Sequence, residues 1–259
     1  MSEMFDRYWR LLFTGLSFVA FGVGGLAMRV LVFPALNILV REHQLRVVLA
    51  RHLIRLSFRC FVGLMRVFGL FQYDISGLER LERRGLLILA NHPTLIDTIL
   101  LMAFVKSADC IVKSKLWRNP FTHGPIRAAG YVCNDHGAGL IEDCIASVRS
   151  GSNLIIFPEG TRTPSDGSIR LKRGAANIAV RGPFNITPVI IRCTPRVLAK
   201  GDKWWRVPSR PVHFSIEVQE DINIRPFITE TGSSGLAARR LTDHLQDYFI
   251  QEKIHHGIA

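Results

Sequence analysis

The sequence predicts an α/β protein, with a mixed, largely parallel sheet flanked by helices and an N-terminal membrane-associated helical segment. Two observations predict this class. After Ser76 and Gly77, short apolar runs alternate with polar stretches of helical character, as expected of strands joined by helices. Before them, residues 11–28 carry no charged side chain over eighteen positions. The 259 residues suffice for one domain of ordinary size and an appendage.

Residues 1–40 are expected to form a membrane anchor. As a helix, residues 11–28 would span about 27 Å, close to the hydrocarbon thickness of a bilayer. A second apolar run, residues 30–40, contains Pro34, so the anchor is either one span or a helical hairpin. A cleaved signal peptide is the alternative, because Arg7 and Arg10 precede the apolar run, but no small-residue cleavage site leads into a polar mature start.

The next segment, residues 41–74, is expected to be a basic amphipathic helix, with the pattern clearest up to residue 71. At 100° per residue, five arginines share an arc of roughly 80°, and apolar side chains fill much of the remainder. They are Arg41, Arg51, Arg55, Arg59 and Arg66. Such a stripe is typical of a membrane surface with anionic headgroups, and also of a helix docked on a protein core. Arginines just after an apolar run also place the following domain in the cytoplasm.

The α/β domain is expected to occupy residues 75–259. The predicted strands are residues 86–90, 109–112, 130–133, 153–157, 187–191 and 212–218. The predicted helices lie near residues 95–105, 138–150, 173–181 and 235–251. In open α/β sheets, ligands bind beyond the carboxyl ends of the strands. The polar motifs that follow strands 86–90 and 153–157 therefore mark the expected site.

The first motif, NHPTLID, contains His92 and Asp97. Five residues apart on one helix, these side chains would not share a face, so they meet only if His92 lies in the loop and Asp97 in the first helical turn. The carboxylate can then orient the imidazole of a general base. Two structural interpretations compete with this one. His92 can be a hydrogen-bonded core histidine, and Thr94 with Asp97 matches a capping box.

The second motif, FPEGTR, occupies residues 157–162 and puts a carboxylate, a flexible turn and the Arg162 guanidinium at a strand end. A guanidinium there can bind a phosphate bidentately. Together, NHPTLID and FPEGTR resemble the N-H-x-x-x-x-D and F-P-E-G-T-R motifs of the glycerolipid acyltransferases, the group of 1-acylglycerol-3-phosphate acyltransferases. The resemblance covers roughly residues 75–220.

The resemblance implies a membrane-bound enzyme with a glycerol-phosphate acyltransferase-like fold. Such an enzyme moves a fatty acyl group from acyl-CoA or acyl carrier protein to the hydroxyl of a lysophospholipid such as 1-acylglycerol 3-phosphate. By this analogy His92 is the general base and Asp97 supports its imidazole. The expected substrate-binding residues are Glu159, Gly160, Thr161, Arg162, Lys113 and Lys172. We expect no cofactor beyond the thioester co-substrate, and no metal.

One block of the family is only partly present. The residues that match its frame are Lys113, Leu116, Pro120, Gly124 and Gly130. The block usually ends in an arginine thought to help bind the acceptor's phosphate, and Asn134 stands there in this sequence. A neutral amide cannot supply that charge. The candidates that can compensate for it are Arg162, Lys113, Lys115 and Lys172.

Asn134 therefore leaves two alternatives open beside the lysophospholipid acyltransferase. One is an acyltransferase for a non-glycerophosphate acceptor, such as a lipoamino acid or a polyene lipid. The other is a catalytically silent lipid-binding homologue, against which intact His92, Asp97 and Glu159 argue.

The formal charge of +12 implies attraction to a polyanion. Nucleic acid would leave the apolar N-terminus and both motifs unexplained, so the expected partners are membrane lipids, the acceptor and the acyl donor. The pair Trp204 and Trp205, flanked by Lys200, Lys203 and Arg206, fits rings at headgroup level, and equally a partly buried surface pair. The expected location is the bacterial inner membrane, with the catalytic domain facing the cytoplasm.

The five cysteines are dispersed, without a CxxC pair or a short Cys/His spacing. They are Cys60, Cys110, Cys133, Cys144 and Cys193. This pattern indicates reduced thiols, and argues against a disulfide framework or a zinc site.

Overall fold

The computed structural model describes residues 2–119, 122–135, 137–164, 166–199, 201–208 and 210–255. A seven-stranded sheet lies between two layers of helices, and an apolar core fills each of its two faces. This architecture confirms the predicted fold class. Pro120 and Lys200, both named in the sequence analysis, lie outside the described residues.

The sheet is mixed and largely parallel. Its strands are β1 Phe71–Ser76, β2 Leu87–Ala90, β3 Ala108–Val112, β4 Val132–Cys133, β5 Asn153–Ile156, β6 Ile186–Thr194 and β7 Val212–Val218. Their order across the sheet is β1-β7-β6-β2-β5-β3-β4, and β6 with β7 is the antiparallel pair. Strand β2 lies at the centre with all four residues buried, so the chain that leaves it emerges in the middle of the carboxyl edge.

Strand β1 corrects the sequence-based boundaries, which assign residues 41–74 to a helix and begin the sheet domain at residue 75. The helix ends earlier, and Gly69 follows it with a φ of +68°, a conformation that glycine adopts readily. Phe71, Tyr73 and Ile75 are then more buried than the residues between them, as in a strand with one covered face. This period-two pattern is only six residues long and follows directly on apolar helix, which hides it in the sequence.

Helices pack on both faces of the sheet. They are α1 Ser2–Ala27, α2 Phe33–Leu39, α3 His43–Val67, α4 Asp97–Phe104, α5 Ser114–Arg118, α6 His123–Ala128, α7 Leu140–Arg149, α8 Gly174–Arg181, α9 Arg225–Thr229 and α10 Ser234–His255. The four predicted helices correspond to α4, α7, α8 and α10. Helices α5, α6 and α9 are five or six residues long, too short to show an amphipathic period.

Helices α1 and α2 are joined by a π-helical stretch, Met28–Val32, so residues 2–39 run without a reversal. Proline lacks the N–H that an α-helix needs, and the wider π turn just before Pro34 accommodates it. The chain turns back at residues 40–42. Helix α3 returns antiparallel to α1, with the Phe13 ring 4.4 Å from that of Phe68 and the Phe21 ring 5.0 Å from that of Phe61.

The segment Met4–Leu39 is long and apolar enough to cross a membrane, by length and composition alone, and it is the one such helix in the part of the chain that the structure describes. Only 11% of its most apolar window is buried. Large apolar side chains therefore face outwards along most of its length.

Helix α3 belongs to the core of the α/β unit as well as to the helical hairpin. Its buried residues are Ala50, Ile54, Phe61, Val62 and Met65. Arg51 forms a buried ion pair of 2.9 Å with Asp109, and it also donates to the Ser152 hydroxyl at 2.7 Å. Arg55 points to the Phe104 carbonyl. The membrane-surface interpretation is thus wrong for Arg51 and Arg55, which face the domain, because a buried aspartate and backbone carbonyls lie opposite them.

Candidate active site

The site begins where β2 ends. Asn91 follows the strand and exchanges two hydrogen bonds with Ile191 of β6, donating through Nδ2 at 2.8 Å and accepting through Oδ1 at 2.7 Å. This pairing extends the sheet by one side chain and fixes the chain before it turns. His92 comes next, and its ring stacks on Phe157 with 4.1 Å between ring centres. The end of one strand thus holds the imidazole against the end of its neighbour, β5.

His92 and Asp97 meet as expected for a loop residue and the first residue of α4. His92 Nδ1 lies 2.9 Å from Asp97 Oδ2, and the Asp97 side chain is completely buried. Thr94 completes the arrangement by donating its backbone N–H to Oδ2 and its hydroxyl to Oδ1, both at 2.6 Å. The carboxylate therefore holds the loop before α4 and contacts the imidazole at the same time. Only half of the predicted capping box is present, because the N-cap residue of α4 is Ile96, which has no side-chain cap hydrogen bond, and the Thr94 hydroxyl accepts the Ile96 N–H at 3.2 Å.

Electrostatics at this pair follow from its burial. Burial raises the pKa of Asp97, and the hydrogen bonds from His92 and Thr94 act in the opposite direction. When the imidazole proton sits on Nδ1, His92 donates to the carboxylate and Nε2 remains an acceptor. This is the tautomer that a general base requires.

Glu159 joins the two motifs. Its Oε1 accepts the His92 backbone N–H at 3.0 Å and the Thr163 hydroxyl at 2.9 Å. The Thr163 backbone N–H in turn donates to the His92 carbonyl at 2.8 Å. Burial raises the pKa of Glu159, whose residue is only 4% exposed. Its Oε2 is buried and has no hydrogen-bond partner among the residues described. Thr163 is missing from the sequence-based site, because it lies one residue beyond the FPEGTR motif.

Gly160 and Lys172 lie together at the turn. Gly160 has a φ of +69°, and a β-carbon placed on it would lie 2.7 Å from Lys172 Nζ. The Lys172 backbone N–H donates to the Pro158 carbonyl at 2.8 Å. Thr161 lies in the same turn, partly buried. The turn thus places the Lys172 ammonium beside Gly160, the residue that follows the buried Glu159.

Arg162 has a structural contact that the motif does not reveal. Its Nη1 donates to the Leu198 carbonyl at 2.7 Å and to the Ala199 carbonyl at 2.8 Å. The partners lie 36 and 37 residues further along the chain, after β6. No local sequence pattern signals a contact of this kind. Both of these bonds use Nη1, and within the described ranges no hydrogen bond from Nε or Nη2 to a protein group is found.

Lys113 and Asn134 lie further along the carboxyl edge, after β3 and β4. Lys113 is exposed, and strand β5 separates β3 from β2. Asn134 Oδ1 accepts the backbone N–H of Ser114, the first residue of α5, at 2.8 Å. The amide found in place of the family's arginine thus serves a helix start. Among the described residues, no hydrogen bond or ion pair joins Lys113 to the His92 site.

The described residues form neither a candidate metal-binding group nor a pair of bonded thiols. The described ranges contain no group of three His, Cys, Asp or Glu side chains placed to hold a metal ion. All five cysteines are free. Burial raises the pKa of Cys193 to about 12 and that of Cys144 to about 12, so both thiols are protonated at neutral pH.

Comparison with known proteins shows similarity to acyltransferases. Residues 72–192 match the family model described as Acyltransferase. The chain is similar to a 1-acyl-sn-glycerol-3-phosphate acyltransferase of Pseudomonas aeruginosa, with 24% identity over 51% of this chain and 53% of the relative. A putative enzyme of the same name from Caenorhabditis elegans shares 30% identity over 45% of this chain and 44% of its own length. The chain thus spans about half the length of these curated relatives.

A solved structure extends the likeness to the whole chain. The crystal structure of the 1-acyl-sn-glycerophosphate acyltransferase of Thermotoga maritima superposes with a TM-score of 0.69, covering 97% of this chain and 98% of that one at 20% identity. At this identity the likeness shows the fold. Residues 72–192 thus match the acyltransferase family model, and the chain is similar to proteins named 1-acyl-sn-glycerol-3-phosphate acyltransferase.

Proposed function

We propose that this protein is an O-acyltransferase that moves a fatty acyl group from acyl-CoA or acyl carrier protein to the hydroxyl of a lysophospholipid such as 1-acylglycerol 3-phosphate. The observation that carries the proposal is the His92–Asp97 pair, joined through Glu159 to the FPEGTR turn inside the matched segment. The similar proteins from Pseudomonas aeruginosa and Caenorhabditis elegans carry the name 1-acyl-sn-glycerol-3-phosphate acyltransferase, the second as a putative one.

His92 is the proposed general base. With Nδ1 donating to Asp97, the Nε2 lone pair takes the hydroxyl proton of the acceptor while the hydroxyl oxygen attacks the thioester carbonyl carbon. An alcohol has a very high pKa, so its attack is efficient only if the proton is removed as the bond forms. The Asp97 carboxylate, 2.9 Å from Nδ1, would in its ionised form stabilise the imidazolium that results.

The same proton completes the transfer. When the tetrahedral intermediate collapses, the carbon–sulfur bond breaks and the thiolate leaves with the proton held on His92 Nε2. One carbon–oxygen bond replaces one carbon–sulfur bond, so the products are an ester and a free thiol. An acyl-enzyme is unnecessary, because the thioester is already activated.

Glu159 is proposed to bind the acceptor. Its Oε1 holds the backbone of His92, and its buried Oε2 is left as an acceptor for a ligand. 1-Acylglycerol 3-phosphate has one free hydroxyl, which can donate to Oε2 as the lipid enters and then turn to His92 Nε2, and this would orient the glycerol unit beside the imidazole. Gly160 and Thr161 line this side of the site, where a larger residue at Gly160 would displace Lys172.

The acceptor's phosphate requires cations. Lys172 beside the turn and the remaining donors of Arg162 are proposed to bind the phosphate. Lys113, further along the edge of the sheet, is a further candidate. Asn134 favours the second candidate, a non-glycerophosphate acceptor, because its amide caps α5 and adds no charge. The relatives' names favour the phosphate-bearing acceptor.

We infer that the protein works at a membrane, with the α/β domain on the cytoplasmic side. The outward apolar face of Met4–Leu39 and the exposed Arg41 and Arg59 of the following helix support this location. Removing residues 1–40 should let the protein leave membranes at high salt more easily than the intact chain. Identical fractionation of the two forms would contradict the location.

The general-base role is tested by His92→Ala, with release of free thiol from acyl-CoA as the measurement. We expect a loss of about 10²- to 10⁴-fold, the range typical of a removed general base. His213→Ala is the matched control, because His213 forms an exposed pair with Asp74 at the far edge of the sheet and should leave activity unchanged. Retention of activity by folded His92→Ala would exclude the role.

The acceptor is tested with a panel offered with both donors. The panel contains 1-acylglycerol 3-phosphate, the corresponding monoacylglycerol without phosphate, and an N-acyl amino acid with a free hydroxyl. We expect turnover with the phosphate-bearing acceptor. Preference for an acceptor without a phosphate group would instead support the second candidate, and absence of turnover with every pair would indicate a silent homologue.

A further inference from the structure

Residues 195–206, here called the bridging segment, connect the catalytic loop to the N-terminal helix. The segment follows β6 and is described apart from Lys200. At its first end the Leu198 carbonyl accepts two hydrogen bonds, from the Leu95 backbone N–H at 3.2 Å and from Arg162 Nη1 at 2.7 Å. Leu95 lies in the loop between His92 and α4. Both catalytic motifs are therefore bonded to one carbonyl of this segment.

The other end of the bridging segment lies on α1. The Trp204 ring packs beside Gly15, 3.6 Å from where a β-carbon would be, and stands edge-on to Phe18 with 6.1 Å between ring centres. Trp205 is perpendicular to Trp204 at 5.7 Å, and the Lys203 ammonium lies 5.2 Å above the Trp205 ring. One short segment thus spans from the catalytic loop to the apolar helix.

The tryptophan pair and the adjacent turns of α1 expose large apolar side chains next to one another. Trp204 is 46% exposed and Trp205 50% exposed, and the neighbouring turns of α1 expose Leu12, Leu16 and Val19. Tryptophan favours the boundary between hydrocarbon and headgroups, and an ammonium beside it suits anionic headgroups. The continuity of the pair with the outward face of Met4–Leu39 argues for a lipid surface as the partner.

We propose that the bridging segment is a lipid-contacting element, in which Trp204 and Trp205 rest at the headgroup level of an anionic bilayer beside α1. Arg162 is then a positioning residue in addition to any role in binding substrate. Its bonds to the Leu198 and Ala199 carbonyls hold the catalytic loop at a fixed height above the lipid surface. The lipid contact is independent of the chemistry, whereas its effect on turnover rests on the proposed acyl transfer.

The lipid contact is tested by fluorescence quenching in vesicles of phosphatidylcholine and phosphatidylglycerol with brominated acyl chains. The chain has four tryptophans. The full chain carrying Trp9→Phe and Trp117→Phe reports on the pair alone, and a form that keeps only Trp117, which packs partly buried on the domain core, is the matched reference. We expect quenching of the pair and none of the reference. Unchanged emission of the pair would overturn the proposal.

The effect on turnover is tested by Trp204→Ser with Trp205→Ser. We expect acyl transfer to an acceptor embedded in vesicles to fall about tenfold, since two half-exposed indoles lose their lipid contact, with no change for a short-chain, monomeric acceptor. Ile254→Ser is the control, because Ile254 is 71% exposed on α10, across the sheet from α1. An equal loss on the monomeric acceptor would overturn the coupling. An inactive wild type would refute the proposed function and leave the quenching result standing.

Discussion

Replacing Asp97 by Asn separates the charge of the carboxylate from its hydrogen bonds. The Oδ2 position accepts from both His92 and the Thr94 backbone, so the oxygen of the new amide should occupy it. The NH₂ group then takes the Oδ1 position, where the Thr94 hydroxyl can rotate and become the acceptor. The imidazole should keep its orientation and its Nδ1 proton, and lose only the negative charge beside it.

The size of the effect follows from the distance. Charge centres about 4 Å apart interact by about 4 kcal/mol at an effective dielectric constant of about 20. The amide dipole retains part of this stabilisation, so we expect the barrier to rise by about 2–4 kcal/mol and the rate to fall about 30- to 1,000-fold. The free energy of unfolding should change little or increase, because a completely buried carboxylate is removed while its partners stay bonded.

Thiol release from acyl-CoA, measured as kcat at saturating acceptor, reports the barrier for Asp97→Asn. The double variant, His92→Ala with Asp97→Asn, provides the control, because Asp97 acts through its contact with the His92 imidazole. Without that imidazole, the Asp97→Asn change should have no further effect. Full activity of the single variant, or a loss that adds in full to that of His92→Ala, would refute the reasoning.

Three further predictions concern stability, measured by chemical denaturation. Arg51→Ala should lower the free energy of unfolding by about 3–5 kcal/mol, because the buried Asp109 carboxylate loses its ion-pair partner. Arg83→Ala, which removes a more exposed ion pair with Asp221, should lower it by about 1 kcal/mol or less, and equal losses for the two variants would contradict this prediction. Glu159 has a raised pKa, so it binds its proton more readily when folded. The free energy of unfolding of the wild type, minus that of Glu159→Gln, should therefore increase as the pH falls from the raised pKa of Glu159 towards its ordinary value of 4.5. A difference that does not change with pH would disprove this prediction. Gly160→Ala should cost about 1–2 kcal/mol through its positive φ, while Gly174→Ala, whose new methyl group meets nothing within 4 Å, should be neutral or stabilising.

Much of the fold is readable from the sequence because its signals are local. Buried strands such as β2 and β5 appear as short apolar runs that end in polar motifs, and α10 shows a helical period over more than twenty residues. The signal fails where an element is short or adjoins a similar one. Strand β1 follows apolar helix after three residues, 68–70, of which two are apolar, and α5 has only five residues.

The candidate site likewise combines local contacts, which the sequence predicts, with contacts between distant residues, which it does not. The meeting of His92 with Asp97 follows from a strand end, a proline and a helix start within six residues. The carbonyls bound by Arg162, and the buried partner of Arg51, lie 36 to 58 residues away in the chain. Contacts at that separation depend on how β6 and β3 are placed in the sheet, and no spacing within a motif encodes this.

The packing of α3 has a consequence for how the protein is made. The helix presents one side to α1 and another to the core beneath the sheet, so the two cannot be built independently. If Met4–Leu39 inserts into a membrane, as inferred above, the strands that pack on α3 must assemble on a helix that is already held beside the lipid. The lipid surface would then take part in the folding of the α/β unit as well as in its location.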